Sequence, residues 1–346
     1  MYRSNLPLLA WSSDNNFGAY SSYQAIVKHL PCHTASIFRQ SSTHIEKRIF
    51  NRILRTWATS NWYQISSAQL EWQIWQGLYK RSYPLAHLLW GERDLGFLNL
   101  LSHKNFPPLC CTFHSCPDEM SKILQFKDRL KQLSAIIIMS ETQRRFFEES
   151  GVESHKIHFI PHGIDTDFFV PYESKRLSEF FTVLSVGSYR RNFPLIRQVA
   201  LKLRIYPNIR IKVISGRQNL KYFADLKNVE FIERITDLAL KQAYQSASCL
   251  LVAVEDSTAN NALLEGLACG LPIVTDGVGG IPEYLNETCS LITDAKQPEL
   301  LVESIVSLSE SLSKCSAMGE ASRSRAIELD WSNIAARTNH LYSSLV

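Results

Sequence analysis

Residues 248–270 read SCLLVAVEDSTANNALLEGLACG and contain, in order, the signals of a strand, a loop and a helix. SCLLVAV is a continuous apolar run, which is typical of a strand that is covered on both faces. NNALLEGLAC has helical spacing, and Gly270 follows it as a helix stop. The stretch therefore predicts a strand–helix unit of a parallel sheet.

The same alternation of short apolar runs and longer helical stretches repeats along the chain. The predicted strands of the first half are PLLAW, TASIF, PLAHLLW, PLCCTF, SAIIIMS and IHFI, and those of the second half are FTVLSVG, RIKVIS, VEFI, SCLLVAV, LPIVT and CSLIT. Alternation that occurs twice indicates an α/β fold of two doubly wound, Rossmann-like parallel-sheet domains. The turn-rich segment 161–174, PHGIDTDFFVPYES, is the predicted linker.

These elements predict an N-terminal domain over residues 1–164, a C-terminal domain over residues 165–330 and a closing helix over residues 331–346. We expect the closing helix to pack back on the N-terminal domain. Ligands of doubly wound sheets bind at the carboxyl ends of the strands, so we expect the domains to face each other across a cleft. Asp165 and Asp167 invite a metal interpretation, but Asp in a Gly-containing turn bonds its own backbone, and we interpret DTD as a turn.

Composition and charge narrow the class of partner. The net charge of +4 lies entirely in residues 1–170, and the remainder of the 346-residue chain is neutral. This excess is too small for a nucleic-acid surface, but it suits an anionic substrate or a membrane surface. The eight cysteines lie mostly in apolar runs and are predicted to be buried thiols. No signal peptide or membrane-spanning run is visible, so we expect a cytoplasmic protein, at most peripherally attached to a membrane.

The loop and helix of the opening stretch carry the first candidate binding residues. Residues 260–263 lie at a helix N-terminus beyond a strand, where backbone N–H groups and the helix dipole suit a phosphate or sugar hydroxyls. Glu265 shares a helix face with Asn261 and Ala262, and its carboxylate can accept two hydrogen bonds from a vicinal diol such as a ribose. The alternative is that Glu265 only stabilises an early helical turn.

Other candidates follow the remaining predicted strands. Arginine suits a diphosphate, and the arginines at strand ends are Arg190, Arg191 and Arg217. His114 directly follows the strand PLCCTF, and a small-residue turn around Gly18 follows PLLAW. Either could line the site or be an ordinary structural feature. A glycine loop at 277–280 either lets backbone approach a ligand or forms a tight turn.

The segment THIEKRIFNRILRTW, residues 43–57, is a basic amphipathic helix. Ile45, Ile49, Ile53 and Trp57 form one stripe. Such a helix either lies on an anionic membrane or packs its apolar stripe on its own domain. We expect the stripe to pack on the domain.

Several stretches together resemble the GT-B glycosyltransferases, specifically the retaining glycosyltransferase family four. PHGIDTDFFVP is similar to the interdomain segment of that family, VEFIERITDLALKQAYQSASCLLVAVEDS to its base-binding region, LLEGLACGLPIVTDGVGGIPEYL to its donor-site signature and LDWSNIAARTNHLY to its closing helix. TFHSCPDE, IIIMSETQRRFFEESGV and GAYSSY match more loosely. The resemblance covers nearly the whole chain.

The resemblance implies transfer of a sugar from a nucleotide-diphosphate donor, such as a UDP- or GDP-sugar, to an acceptor hydroxyl. It implies retention of anomeric configuration, no metal and no other cofactor. The C-terminal domain would bind the nucleotide sugar, and the N-terminal domain a glycan, lipid or small-molecule acceptor. The residue patterns and the resemblance together give as candidate donor-binding residues Gly18, Arg190, Arg191, Arg217, Ile235, Ser257, Asn260, Asn261, Ala262, Leu263 and Glu265, and as candidate catalytic residues His114 and Arg191.

Individual roles follow from the matched motifs. Glu265 would hold the donor ribose, Ile235 would flank the nucleobase, and Arg191 with Arg190 would bind the diphosphate. The family pairs two glutamates eight residues apart, whereas Ser257 stands eight residues before Glu265. The acid that usually engages the sugar is therefore missing, and a non-catalytic nucleotide-sugar-binding module is the alternative function.

Overall fold

The computed structural model describes residues 4–13, 20–39, 45–101, 106–172, 179–233, 235–293 and 297–346. These residues form two units. The first comprises the described residues of 1–17 and 22–162 together with 331–346, and the second comprises the described residues of 18–21 and 163–330. The chain passes from one unit to the other at 162–163 and 330–331, next to the domain boundaries expected after residues 164 and 330.

Each unit contains a six-stranded sheet in which every pair of neighbouring strands is parallel. The strands of the first unit are β1 Leu8–Ser13, β2 His33–Phe38, β3 Ala86–Leu88, β4 Leu109–Phe113, β5 Ala135–Ile138 and β6 Ile157–Phe159. Those of the second unit are β7 Phe181–Val186, β8 Ile209–Ile214, β9 Val229–Ile232, β10 Cys249–Val252, β11 Ile273–Thr275 and β12 Ser290–Ile292. All twelve predicted strands are thereby confirmed.

The strand orders are β2-β1-β3-β4-β5-β6 in the first unit and β12-β11-β10-β7-β8-β9 in the second. The described α-helices are α1 Ile45–Trp57, α2 Ile65–Tyr79, α3 Gly91–Asp94, α4 Pro117–Ile123, α5 Arg144–Glu149, α6 Phe193–Lys202, α7 Asp237–Ser246, α8 Asn261–Ala268, α9 Pro298–Ser309, α10 Leu312–Glu328 and α11 Trp331–Leu345. Among them, no helix is both long enough and apolar enough to cross a membrane.

The first unit buries an apolar core between its sheet and helices such as α2. Leu70 and Ile74 of α2 pack in one cluster with Leu8 of β1 and Ile136 of β5. The C-terminal helix α11 belongs to this unit, where the indole ring of Trp331 packs edge-on against Tyr23.

The second unit is built in the same way. All four residues of β10 are buried, as a strand with both faces covered requires. Ile196 of α6 and Ile305 of α9 share a core cluster with Val183 of β7. Parallel strands that run in one direction end at one edge of the sheet, so the loops after β7, β8, β9 and β10 lie along one edge.

The structure also tests the predictions made for the cysteines and for helix α1. None of the eight cysteines, all of which are described, forms a disulfide bond, and all but Cys32 are buried, which confirms the prediction of buried thiols. The prediction that the apolar stripe of α1 packs on its own domain is wrong. Ile49, Ile53 and Trp57 are exposed, while Asn51 between them is buried. Hydrogen bonds of polar side chains, described below, hold the opposite face of this helix against the unit.

The turn interpretation of the DTD segment is confirmed. The Oδ1 atom of Asp165 accepts hydrogen bonds from the backbone N–H groups of Asp167 at 3.1 Å and Phe168 at 2.8 Å. This carboxylate therefore closes a local turn of its own backbone, as Asp side chains do in turns.

Candidate functional site

Helix α8 carries the central residue of the candidate site in the second unit. It begins after a loop that follows β10, and the Oδ1 atom of Asn260 accepts the N–H of Leu263 at 3.2 Å as an N-cap. Such a cap satisfies one of the four N–H groups that a helix leaves unpaired at its start. A ligand could use the Leu263 amide only after this cap opened. The side chain of Leu263 itself is fully buried.

Glu265 lies on this helix with a buried carboxylate, 5% exposed. Its Oε2 atom accepts a hydrogen bond from the Tyr244 hydroxyl at 2.7 Å, and its Oε1 atom accepts one from the Ser21 hydroxyl. Burial raises the pKa of Glu265 to about 7, although both hydroxyls and the nearby Arg191 guanidinium favour the charged form. Glu265 therefore changes its charge near neutral pH and sits among polar partners.

Arg191 lies in the loop between β7 and α6, and two hydrogen bonds fix its guanidinium. Its Nε atom donates to the Val186 carbonyl at 2.7 Å, and its Nη2 atom donates to Asn260 Oδ1 at 3.0 Å. Gly187 has a φ of +106°, and a Cβ atom there would lie 2.9 Å from the Arg191 guanidinium. A glycine at 187 thus leaves room for a guanidinium at the carboxyl end of β7.

The other predicted basic and apolar residues lie along the same edge of the sheet. Arg190 has a φ of +51°, and its Nη2 atom lies 3.9 Å from an Asp256 carboxylate oxygen. Arg217 is exposed and begins a short 3₁₀ helix after β8. Ile235 is partly buried between β9 and Thr236, the residue that caps α7. All three therefore follow the carboxyl end of a strand.

Ser257 stands where the family would place its first glutamate, and it is built into a contact between two loops. Its carbonyl accepts the N–H of Gly280 at 2.7 Å. A Cβ atom on Gly279, whose φ is +65°, would lie 2.5 Å from both the Ser257 carbonyl and an Asp256 carboxylate oxygen. The glycine loop at 277–280 therefore packs directly on this pair of residues.

Tyr20 and Ser21, which belong to the second unit, contact other residues of that unit. The Nδ2 atom of Asn261 donates to the Ser21 carbonyl at 2.9 Å. The ring of Tyr20 stacks on Phe168 with centroids 3.5 Å apart. The predicted site residue Gly18 lies outside the described residues.

Tyr244 and Ser21 were not predicted from the sequence. Tyr244 could have been suspected from the sequence, because it lies four residues after Leu240 and therefore on the same side of α7. A buried tyrosine hydroxyl there needs a polar partner. No local pattern marks Ser21, whose hydrogen bond joins residues 244 positions apart in the chain.

His114 lies in the first unit, directly after β4. Its Nε2 atom lies 2.8 Å from the Leu89 carbonyl, and its ring stacks on Trp90 with centroids 3.9 Å apart. Burial lowers the pKa of His114 to about 3. The imidazole is therefore neutral near pH 7 and donates its Nε2 proton to Leu89, so its Nδ1 atom is an acceptor.

Glu92, on the short helix α3, is a further polar residue of this unit that was not predicted from the sequence. One carboxylate oxygen accepts the backbone N–H of His114 at 2.9 Å and that of Ser115 at 3.1 Å. Burial raises the pKa of Glu92 to about 7. In the sequence, Glu92 could have been suspected from the charged tripeptide ERD shortly after the apolar run PLAHLLW. Glu92 thus positions the loop that carries His114.

Residues 181–311 match the sequence model of a family described as Glycosyl transferases group 1. Among curated proteins, the chain is similar to a phosphatidylinositol N-acetylglucosaminyltransferase subunit of Arabidopsis thaliana. The two are 24% identical over 238 residues, which cover 64% of this chain and 52% of the plant protein. The chain spans about half the length of the curated relatives it matches.

Solved structures match over nearly the whole chain. A glycosyltransferase from Rickettsia africae ESF-5 has a TM-score of 0.72 and 12% identity, with 99% of each chain covered. Anabaena Alr3699/HepE, solved in complex with UDP-glucose, has a TM-score of 0.70 and 12% identity, with 99% of this chain and 100% of that chain covered. Together with the two parallel six-stranded sheets, these similarities confirm the predicted GT-B fold.

Proposed function

We propose that this chain, which belongs to the Glycosyl transferases group 1 family, transfers a sugar from a nucleotide-diphosphate donor to an acceptor hydroxyl. The observation that carries the proposal is the buried Glu265 carboxylate, whose charged form the Arg191 guanidinium favours electrostatically, at the carboxyl edge of a parallel sheet. A carboxylate suits the hydroxyls of a ribose, and a guanidinium suits a diphosphate. Ligands of doubly wound sheets bind at this edge.

Glu265 binds the donor ribose in this proposal. Its Oε1 atom now accepts from the Ser21 hydroxyl, and a ribose hydroxyl would take the place of that hydroxyl. The bond from Tyr244 to Oε2 would keep the carboxylate oriented during the exchange. Binding then exchanges one hydrogen bond for another and leaves no buried acceptor unpaired, which keeps the cost low.

Arg191 binds the diphosphate, with Arg190 and Arg217 contributing from neighbouring loops. The positive end of α8 and the amides near Asn261 and Ala262 would face the phosphate and the transferred sugar. Ile235 would flank the nucleobase from the loop after β9. Each of these groups follows the carboxyl end of a strand of one sheet.

The chemical demand is stabilisation of negative charge on the departing diphosphate. A fixed guanidinium and a helix N-terminus supply it without a metal, because they are already oriented before the charge develops. We propose a metal-independent reaction on this basis, with retention of anomeric configuration as the family resemblance implies. His114, which the family resemblance assigns to the transferred sugar, would bond a hydroxyl and would not act as a proton donor, since its pKa is about 3.

The proposed class of acceptor rests on the reaction, which needs a hydroxyl group, and on the similarity to the plant relative. We propose an acceptor hydroxyl on a glycan, lipid or small molecule, because the plant relative is by its name part of a phosphatidylinositol N-acetylglucosaminyltransferase. The net charge of +4 is smaller than the basic excess that a nucleic-acid partner needs.

A non-catalytic sugar-nucleotide-binding protein is the second candidate, and Ser257 supports it. A serine replaces the acid that the family uses on the sugar, and its carbonyl is engaged by the glycine loop. The two functions differ in one measurement, release of nucleoside diphosphate from a bound donor in the presence of acceptor extract. Donor binding without release would favour the binding module.

The direct test is donor affinity of Glu265→Gln, measured by calorimetry after a thermal-shift screen of UDP-, GDP- and ADP-sugars. Loss of a charged acceptor should cost about 1.5–3 kcal/mol, which is about tenfold to a hundredfold in Kd. Glu303→Gln, on the exposed side of α9, is the matched control and should leave the Kd unchanged. Equal affinity of the Glu265 variant and the wild type would show that the site is misassigned.

A further inference from the structure

Helix α1 of the first unit presents an apolar stripe to solvent. Ile49, Ile53 and Trp57 follow one another at intervals of four residues and are 57%, 55% and 65% exposed. Phe50 beside them is also exposed. Residues at i and i+4 lie on one face of a helix, so these four side chains form one continuous apolar surface. We call it the α1 stripe.

The orientation of α1 is fixed by polar bonds on its opposite face. The Oδ1 atom of the buried Asn51 accepts the N–H of Ile65 at 2.9 Å. The Nε atom of Arg55 donates to the Tyr63 carbonyl at 2.9 Å. At the end of the helix, Arg129 donates to the Trp57 carbonyl at 2.7 Å. Turning the stripe inward would break all three bonds, so its exposure belongs to the fold of this unit.

Along the sequence, exposed apolar side chains are concentrated in α1 and in the segments next to it. Of the 20 large apolar side chains that are exposed in the described part of the chain, eight lie in residues 38–79. They include Trp62, Trp72 and Tyr79, and tryptophan and tyrosine are the residues that favour the polar–apolar boundary of a bilayer. The α1 stripe is itself a contiguous exposed apolar surface, and such a surface marks an interaction site.

The charge around the stripe selects the partner. Residues 20–90 contain eight Lys and Arg but only two acidic residues, Glu46 and Glu71. Glu71 is buried and accepts the Tyr63 hydroxyl at 2.5 Å, so it adds little to the surface charge. Arg48 and Arg52 are exposed one turn apart and border the stripe, with Glu46 as an exposed acid of the same helix. Anionic lipid head groups match this charge.

We propose that the α1 stripe and its bordering arginines form a docking surface for an anionic lipid membrane. The helix would lie in the plane of the interface, with Ile49, Ile53 and Trp57 among the acyl chains and the arginines among the head groups. A second copy of the chain fits less well, because a symmetric contact would bring the same arginines towards each other. Docking does not depend on the proposed transferase activity. Where both hold, docking favours a lipid-borne acceptor.

Vesicle flotation of the full chain tests the proposal. The wild type should float with vesicles of phosphatidylcholine mixed with phosphatidylglycerol, and not with pure phosphatidylcholine. High salt should release it, because the Debye length falls from about 10 Å at 0.1 M to about 3 Å at 1 M. Equal binding to both vesicle types would remove the role of charge and overturn the proposal.

Two pairs of variants separate the contributions. Ile53→Ser with Trp57→Ser should lower vesicle partitioning at least tenfold. The control, Ile205→Ser with Leu312→Ser, changes two side chains of the second unit that are even more exposed than Ile53 and Trp57, and it should have no effect. Arg48→Gln with Arg52→Gln should lower binding to anionic vesicles by about tenfold or more, since each cation near such a surface contributes strongly. Arg204→Gln with Lys227→Gln is its control.

Far-ultraviolet circular dichroism and thermal unfolding establish that each variant is folded. Wild-type binding that survives the Ile53/Trp57 change in a folded variant would overturn the proposal. The proposal would also be overturned if the wild type did not bind vesicles and instead formed a dimer that the Ile53/Trp57 change dissociates. A blue shift of tryptophan emission on binding, reduced in Trp57→Phe, would place Trp57 in the interface. Donor affinity, read separately, stays the measure of the proposed transferase site.

Discussion

At the scale of single residues, the candidate donor site depends on the charge of one carboxyl group. Glu265 is buried, and burial raises its pKa to about 7, while Ser21, Tyr244 and Arg191 act in the opposite direction. A ribose hydroxyl needs an ionised acceptor here, since a protonated carboxyl loses part of its accepting capacity. The same group also affects folding, with the opposite pH dependence.

Donor affinity should therefore rise with pH. If only the ionised carboxylate binds, the Kd should fall about tenfold between pH 6 and pH 8, centred on the pKa of about 7. An intact sugar nucleotide has no phosphate group that titrates in this range. Calorimetry across the range measures the effect, and Glu265→Gln should show a flat profile. A flat profile in the wild type would contradict the assignment.

The contribution of Glu265 to folding follows from the same pKa. A carboxyl group whose pKa is higher in the folded than in the unfolded state contributes stability below the unfolded value, and this contribution is lost as the pH rises through about 7. Ligand affinity and stability therefore respond oppositely to the same titration.

The Ser21 hydroxyl competes with the donor for Glu265. Ser21→Ala removes this competitor, so the donor should bind more tightly by about 0.5–1.5 kcal/mol, the net value of an ordinary hydrogen bond. The measurement is the donor Kd well above pH 7, where the loss of Ser21 does not change the ionisation of Glu265. The control is Ser150→Ala in the first unit, where the hydroxyl donates only to a carbonyl one helical turn away. Ser12→Ala is less suitable, because the Ser12 hydroxyl donates to the buried Asp94 carboxylate. Weaker binding would show that Ser21 assists the donor.

At the scale of elements, the turn between β7 and α6 places Arg191. Gly187 at the end of β7 has a φ of +106°, and a Cβ atom there would clash with the guanidinium. Asn192 caps α6 by accepting the N–H of Leu195 at 3.1 Å, which fixes where the helix begins. The conformation of this turn, and not only the arginine, therefore determines where the positive charge lies.

Gly187→Ala should weaken donor binding about tenfold or more, because the guanidinium must move and because an L residue is strained at this φ. Gly151→Ala is the matched control. Gly151 has a φ of +83°, but the nearest atom to a Cβ there lies at 3.9 Å. Both variants should lose stability in thermal unfolding, and only the Gly187 variant should lose donor affinity. Equal Kd values for the two variants would show that Gly187 does not determine the position of the Arg191 guanidinium.

Helix α1 shows what periodicity does not decide. The pattern of Ile49, Ile53 and Trp57 correctly predicts a helix with one apolar face, but it does not say which face meets the rest of the unit. Asn51 accepts a hydrogen bond from the first residue of α2, and Arg55 donates one to the segment before α2. These bonds turn the polar side of α1 inward. Such bonds join residues that no sequence pattern links.

At the scale of the whole molecule, the first unit is completed by the end of the chain. The Tyr342 hydroxyl of α11 lies 2.6 Å from Nδ1 of His87 on β3, and both groups are buried. The Nε2 atom of His87 lies 2.7 Å from the Thr112 hydroxyl on β4. Burial lowers the pKa of His87 to about 3, so the ring is neutral and each nitrogen needs a partner.

Tyr342→Phe should destabilise the first unit by about 1–3 kcal/mol, because it leaves a buried ring nitrogen unpaired. Tyr79→Phe, an exposed tyrosine of the same unit, is the control and should change stability little. Denaturant unfolding measures both. A wild-type-like midpoint for Tyr342→Phe would refute the importance of this bond.

The sequence alone determined the twelve strands, the helix that carries Glu265 and the loop that carries Arg191. Continuous apolar runs, helix caps and glycines act locally, so a linear pattern records them. The tertiary structure decided the rest, namely Tyr244 and Ser21 as partners of Glu265, Glu92 behind the His114 loop, and the outward face of α1. The physical reason is that these contacts join residues far apart in the chain, and desolvation, which raises the pKa of Glu265 to about 7, exists only once they form.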